Sequence, residues 1–148
     1  MNRPISLLGA PSSIGIKPYD SGEARHLDRA PSVLRHRRVV ERLDAADLGD
    51  VAPPPYRDYV RSSGRVRNEP EVAAYSAALG ERIAVATARG FVVVLGGDCS
   101  IVLGGLLGAR RTAAGAVGLA YLDAHADFAS PEESRTGSAA SMFTYVLD

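Results

Sequence analysis

The stretch FVVVLGGDCSIVLGG, residues 91–105, decides the fold. Its first part, Phe91 to Leu95, has no polar residue to offer to solvent, so it reads as a strand covered on both faces, the kind found in parallel sheets. Gly96 and Gly97 end the run, and a polar knot follows, Asp98, Cys99 and Ser100. The chain then turns apolar again as SIVLGGLLGARR, a short helix whose glycines allow close packing on the sheet. Cys99 is the only cysteine of the chain. At the carboxyl end of a buried strand and the start of a helix it has three readings: a metal ligand, an inert buried thiol, or a nucleophile. The last requires a neighbouring base, and the sequence nominates none.

Working outward, EPEVAAYSAALGERIAVATARG is the clearest helix. Val72, Tyr75, Leu79, Ile83 and Ala86 form a stripe at helical spacing, Pro70 and Glu71 suit its start, and Gly90 stops it. Further upstream, PISLLGAP predicts a first buried strand and DAADLGDV a weaker second one. Between them lie a long Pro/Gly-punctuated loop and a helix over APSVLRHRRVVERL, with Pro31 in its first turn. Arg35, Arg38 and Arg42 share one face of that helix. They read as a solvated face or as a phosphate or partner patch. APPPYRDYVRSSGRVRN is irregular. Downstream, GAVGLAYLD predicts another buried strand, and a helix opens near Ala139. Strands alternating with helices predict an α/β protein with a parallel sheet.

The 148 residues suit one domain, spanning 1–148. Basic and acidic residues balance at 17 each, so no global field draws nucleic acid or an anionic membrane. No apolar run is long enough to cross a bilayer. The N-terminus reads as a strand, not a signal peptide. A lone cysteine excludes an internal disulfide and fits a reducing compartment, so the expected location is cytoplasmic. The chain stops soon after its most chemically loaded loop, without a closing strand, which predicts an incomplete domain.

That loop is LDAHADF. Asp123, His125 and Asp127 alternate at the carboxyl end of a predicted strand, where sites form in open α/β sheets. In extended backbone their side chains project to one side and make an N/O cluster for a divalent cation. Without a cation two such carboxylates repel, and one tends to keep a proton. The plainer alternative is a polar strand end with an ordinary loop.

GGDCS followed in order by DAHADF, together with LLGAPSSIG, RAPSVLR and DLGDV, resembles the ureohydrolases, the arginase/agmatinase/formiminoglutamase family. The resemblance runs from about Pro4 to Met142. It implies an arginase-like three-layer α/β/α fold with a parallel sheet, here truncated after about four strands. It also implies a metal-dependent hydrolase of linear C–N bonds in guanidino, formimino or amidine groups, acting through metal-activated hydroxide on a small-molecule substrate. Asp123 then matches a carboxylate bridging two ions, His125 a ligand of one, and Asp127 a ligand of the other that also orients the nucleophile and so counts as catalytic. Asp98 is expected to stabilise a turn beside the ligands. The metal implied is Mn²⁺, and family members form homo-oligomers.

The sequence also departs from the family. Cys99 stands where a ligand histidine is usual; as a thiolate it would admit Zn²⁺ or Fe²⁺. Ala129 and Ala140 stand where arginases carry an asparagine that binds the substrate's amino-acid end and a histidine that moves protons, which argues against arginine as substrate. Thr136 and Ser138 remain candidate substrate contacts. A later Ser-x-Asp-x-Asp strand that completes the family's metal pair is not in the chain. In the family's sheet two later strands separate the strand ending at Gly96 from the one ending at Asp123. These two therefore either pair directly here as a right-handed βαβ unit or leave the fragment poorly folded. Two further readings stand beside the ureohydrolase: a non-catalytic relative serving as a metal-binding or assembly module, and a deacetylase-like amide hydrolase.

Overall fold

Leu7 and Leu8, both fully buried, sit at the centre of the structure. A computed structural model of the chain describes residues 3–57 and 64–146. The strand holding these leucines, β1 (Ile5–Ala10), is the middle of a parallel sheet. On one side it pairs with β2 (Ala46–Asp50) and on the other with β3 (Phe91–Gly96). Its pairing with β3 runs in register from Ile5–Phe91 to Ala10–Gly96. The two strands therefore end together and deliver the loops after Ala10 and Gly96 to one edge.

Helices cover both faces, as the three-layer reading expects. Leu8 and Ala10 point into the core formed with Val72, Tyr75, Leu79 and Ile83 of α3 (Glu69–Thr87). Every residue of the predicted stripe, Ala86 included, is buried. Gly9, on the opposite side of the pleat, faces Arg35 of α1 (Ala30–His36) and Asp50. The predicted long first helix is two. Arg38 takes a left-handed conformation (φ 61°) between α1 and α2 (Val39–Arg42). The proposed arginine face is broken there, and Arg35 serves the fold instead. Its guanidinium binds Asp47 at 2.8 and 2.9 Å and Asp50 at 2.6 Å, tying α1 to β2.

The glycines of α4 (Ile101–Thr112) serve a different contact from the one expected: they meet a helix, not the sheet. A methyl group on Gly104 would lie 2.9 Å from the Leu79 Cβ, and one on Gly108 would lie 2.7 Å from the Ile83 Cβ. Gly80 of α3 approaches the Gly104 carbonyl in the same way. Small residues on both helices bring their axes close, and aliphatic side chains fill the seam.

The fourth strand is where expectation and structure part. The described sheet has three strands, and residues 115–122 join no ladder. Leu119 and Leu122 are exposed, Leu122 at 91%. Pairing of this segment with β3 as a local βαβ unit does not occur. The segment stands off across an open groove of about 790 Å³ lined by Leu103, Leu106 and Leu107 of α4 with Val117, Leu119 and Phe128. Among the described residues it has no neighbouring strand, so no ladder holds it in regular extended form. Beyond it come a 3₁₀ turn (Ala139–Ser141) and a short α5 (Phe143–Val146), close to the helix start expected at Ala139. Residues 58–63 of the irregular APPPYRDYVRSSGRVRN stretch lie outside the described residues.

Two outcomes follow from this packing. Gly108→Ala should lower stability by about 1–3 kcal/mol, because its methyl group meets Ile83 and the Gly80 carbonyl. Gly105→Ala, with nothing within 4 Å, should raise it by up to about 1 kcal/mol; urea titration of both variants measures the pair. Arg35 holds the Asp47 carboxyl below its ordinary range, chiefly through their hydrogen bonds and against the opposing effect of burial. The folded form thus binds its proton less readily than the unfolded chain. Its stabilisation is complete above the ordinary carboxylate pKa of about 3.9 and is lost as the pH falls through the lower folded value. Asp47→Asn should flatten the fall in melting temperature at the acid end of a pH series.

Candidate metal centre

A buried carboxylate builds the first half of the site. Asp98, 2% exposed, follows the Gly96–Gly97 turn. It accepts hydrogen bonds from the Ser12 hydroxyl at 3.0 Å, the Gly15 N–H at 3.2 Å and the Ser100 N–H at 3.0 Å. It is thus the turn-stabilising residue that the sequence suggested. The loop after β1 is locked to the start of α4, with the Asp98 N–H donating to the Ser12 carbonyl at 3.0 Å. Gly97 makes this closure fit, since a side chain there would fall 2.6 Å from the Ala10 carbonyl oxygen. Asn68, fully buried, holds the same loop from the other side through the Ile14 carbonyl at 3.0 Å. Cys99 is therefore presented at the carboxyl edge of the sheet, half-buried, from a turn with little freedom.

The second half comes from the loop after residues 115–122. Cys99 Sγ, one oxygen of Asp123 and one of Asp127 lie within 4.8 Å of one another. The alternation that was to bring in His125 is not kept. The chain bends at 124–125, and Asp127 takes a left-handed conformation (φ 48°), one that aspartate tolerates better than most residues. The His125 side chain is 81% exposed, with Nδ1 3.5 Å from Asp123 Oδ1. The structure brings together three of the four predicted ligands and leaves the imidazole beside the group.

Tyr121 is the residue that the sequence reading missed. Its hydroxyl lies 2.8 Å from Asp123 Oδ2 and 2.6 Å from Asp127 Oδ2. The signal was its place two residues before Asp123, on the same alternation as the ligands. Its ring stands edge-on to Phe143, with centroids 5.0 Å apart. The loop is also held from α5: the Thr144 hydroxyl lies 2.7 Å from the carbonyl oxygens of both Ala126 and Asp127.

The charges around Cys99 act on its thiol and on the neighbouring phenol. Burial, then the charges of Asp127, Asp123 and Asp98, push the Cys99 thiol above its usual range, against a smaller opposite effect of the Tyr121 hydroxyl. Burial and the two carboxylates likewise raise the Tyr121 phenol. Asp123 is shifted downward, first by the His125 N–H and then by Tyr121. A divalent cation inverts this balance, since its own charge favours thiolate and carboxylates together. One sulfur and two carboxylate oxygens at this separation suit such an ion, and the sulfur favours the softer ones.

Thr136 and Ser138 lie further along. The Thr136 hydroxyl accepts from the Ser138 N–H at 3.3 Å, and the Ser138 hydroxyl accepts from the Lys17 N–H at 3.0 Å. Both hydroxyls shape the loop, and Ser138 is buried.

Comparison with known proteins bears on this arrangement. The sequence pattern of the Arginase family matches residues 5–148. Arginase of Bacillus caldovelox is 34% identical over 143 residues, covering 92% of this chain and 46% of the relative. Human Arginase-1 is 30% identical over 146 residues, covering 93% of this chain and 42% of the relative. The native structure of the Bacillus caldovelox arginase at pH 5.6 superposes with a TM-score of 0.81 at 33% identity, over 95% of this chain and 47% of that one. The chain spans about half the length of the curated relatives it matches. With an arginase-like α/β fold and a family match over nearly its whole length, this chain belongs to the Arginase family.

Proposed function

We propose that the chain acts in a metal-dependent hydrolase that cleaves a linear C–N bond in a guanidino, formimino or amidine group of a small molecule. The observation that carries this is the convergence of Cys99, Asp123 and Asp127 at the carboxyl edge of the sheet in a member of a ureohydrolase family. These three residues would hold the ion, with the exposed His125 beside Asp123 as a further ligand. An ion held there would supply a water nucleophile ionised near neutral pH. Asp127 is assigned the catalytic role of accepting a hydrogen bond from that nucleophile and orienting it. Mn²⁺ is the ion by family resemblance, and the Cys99 sulfur supports Zn²⁺ or Fe²⁺ in its place.

Ala129 and Ala140 support a substrate other than arginine, because the first offers no polar group to an α-amino acid end and the second cannot carry a proton; Ala140 is also buried. Thr136 and Ser138 are assigned to the substrate side of the loop. Homo-oligomeric assembly and a cytoplasmic location extend the same reading. Among the described residues no helix is long and apolar enough to cross a membrane. Cys99 in place of a ligand histidine, together with Ala129 and Ala140, supports one alternative, a metal-binding or assembly module without turnover.

Two measurements decide between them. With Mn²⁺, Zn²⁺ or Fe²⁺ added, the chain should release product from at least one of a panel of guanidino, formimino and amide compounds, with arginine not the best. Metal uptake without turnover on any of them supports the module. In the Co²⁺-loaded protein, Cys99→Ser should abolish the near-ultraviolet thiolate-to-metal absorption and weaken binding. An unchanged spectrum would remove Cys99 from the ligand set.

A further inference from the structure

The carboxylate pair converges without the strand alternation that the sequence predicts. Alternation along an extended strand was to aim Asp123 and Asp127 at one point, yet residues 115–122 join no ladder, the chain bends at 124–125, and Asp127 is left-handed. The same irregularity leaves the His125 ring outside the group. Something other than strand geometry must set the distance between the two carboxylates.

We infer that Tyr121 is the positioning residue of the metal centre, its hydroxyl spanning Asp123 and Asp127 and its ring anchored on Phe143. The hydroxyl is within hydrogen-bonding distance of one oxygen of each carboxylate, at 2.8 and 2.6 Å. A phenol has one proton to donate, so the two oxygens share it and are kept close together. The second oxygen of Asp123 is committed elsewhere, accepting from the His125 N–H at 3.0 Å. That fixes the rotation of the carboxylate and leaves Oδ2 as the oxygen facing Tyr121 and Cys99, whose Sγ lies 4.0 Å away.

The anchor is independent of the ladder that the segment lacks. Phe143 is fully buried and meets the Tyr121 ring at an interplanar angle of 74°, an edge-to-face geometry that contributes beyond the area buried. Phe143 begins α5, and the next residue, Thr144, reaches the Ala126 and Asp127 carbonyls at 2.7 Å. One short helix therefore positions the tyrosine ring and the backbone of the second carboxylate together. Tyr121 acts on an ion through Asp123 and Asp127, as partners that orient metal ligands do elsewhere.

The inference rests on the metal-centre reading, and the test separates the two. Zn²⁺ affinity of the purified chain is measured by competition with a chromophoric chelator for wild type, Tyr121→Phe and the double variant Cys99→Ala/Asp127→Ala. Tyr121→Phe keeps the ring and its Phe143 contact and removes only the hydroxyl. Its metal-free melting temperature should stay near that of wild type while its Kd for Zn²⁺ rises about 10- to 100-fold. The Co²⁺ visible spectrum should shift with it, which a merely structural role would not produce. Wild-type affinity in Tyr121→Phe overturns the inference and leaves the centre standing. Wild-type binding no tighter than that of the double variant overturns both. If Tyr121→Phe does not fold, Tyr121→Trp, an aromatic ring whose N–H can donate but which does not ligate metal, is compared with Tyr121→Leu, which has no donor. Tighter binding by the tryptophan variant, by about tenfold, is expected, and equal affinities overturn the inference.

Discussion

The buried carboxylate of Asp98 is the interaction on which the rest depends. A buried carboxyl group is costly unless its oxygens are satisfied, and here three donors from two distant segments satisfy them. In exchange, the loop after β1 and the turn before α4 become one unit. Core helix α3 joins that unit through Asn68 and the Ile14 carbonyl. The sheet edge, the helix start and Cys99 are thereby placed by one network. Replacing Asp98 with an apolar residue would leave the Ser12 hydroxyl and two backbone N–H groups without their acceptor, and each such loss costs about 1–3 kcal/mol.

Where the signal was local and periodic, the sequence was legible. The α3 stripe from Val72 to Ala86 appears in the structure without a miss, and the apolar runs at Ile5 and Phe91 became neighbouring parallel strands. The failures have a common cause, in that each depended on a neighbour that the local pattern does not encode. The glycines of α4 indicated a close approach but not whether a sheet or a helix would make it. The first helix breaks at Arg38, within an unbroken helical pattern, while Arg35 spends its charge on Asp47 and Asp50 of β2.

The candidate site divides in the same way. Asp98 and Cys99 lie between β3 and α4, where a strong strand running into a helix put them. Asp123 and Asp127 came together, but not through the alternation that nominated them, and His125 did not follow. Tyr121 was overlooked because a tyrosine in an apolar run reads as core. Its role depends on Phe143, which lies 22 residues further on and belongs to a helix too short to carry a periodic signal.

The segment over 115–122 gives the site an unequal foundation. Cys99 belongs to a body knit by a sheet and a tightly packed helix pair, whereas Asp123 and Asp127 hang from a stretch outside the sheet, held against residues 141–145 by the Tyr121–Phe143 and Phe128–Tyr145 ring pairs, the Thr144 hydroxyl and the backbone bonds Ala129–Ser141 and Thr144–Asp127. A stretch outside the sheet ladder opens more readily than the strands and helices of the core. Part of any ion's binding energy is then spent on removing the conformational entropy of that stretch, so affinity for metal and local order become one thermodynamic quantity. Were an ion held there, whatever stiffens residues 115–127 would tighten it without touching a ligand, and its binding would slow amide hydrogen exchange in that loop far more than in β1 or α3.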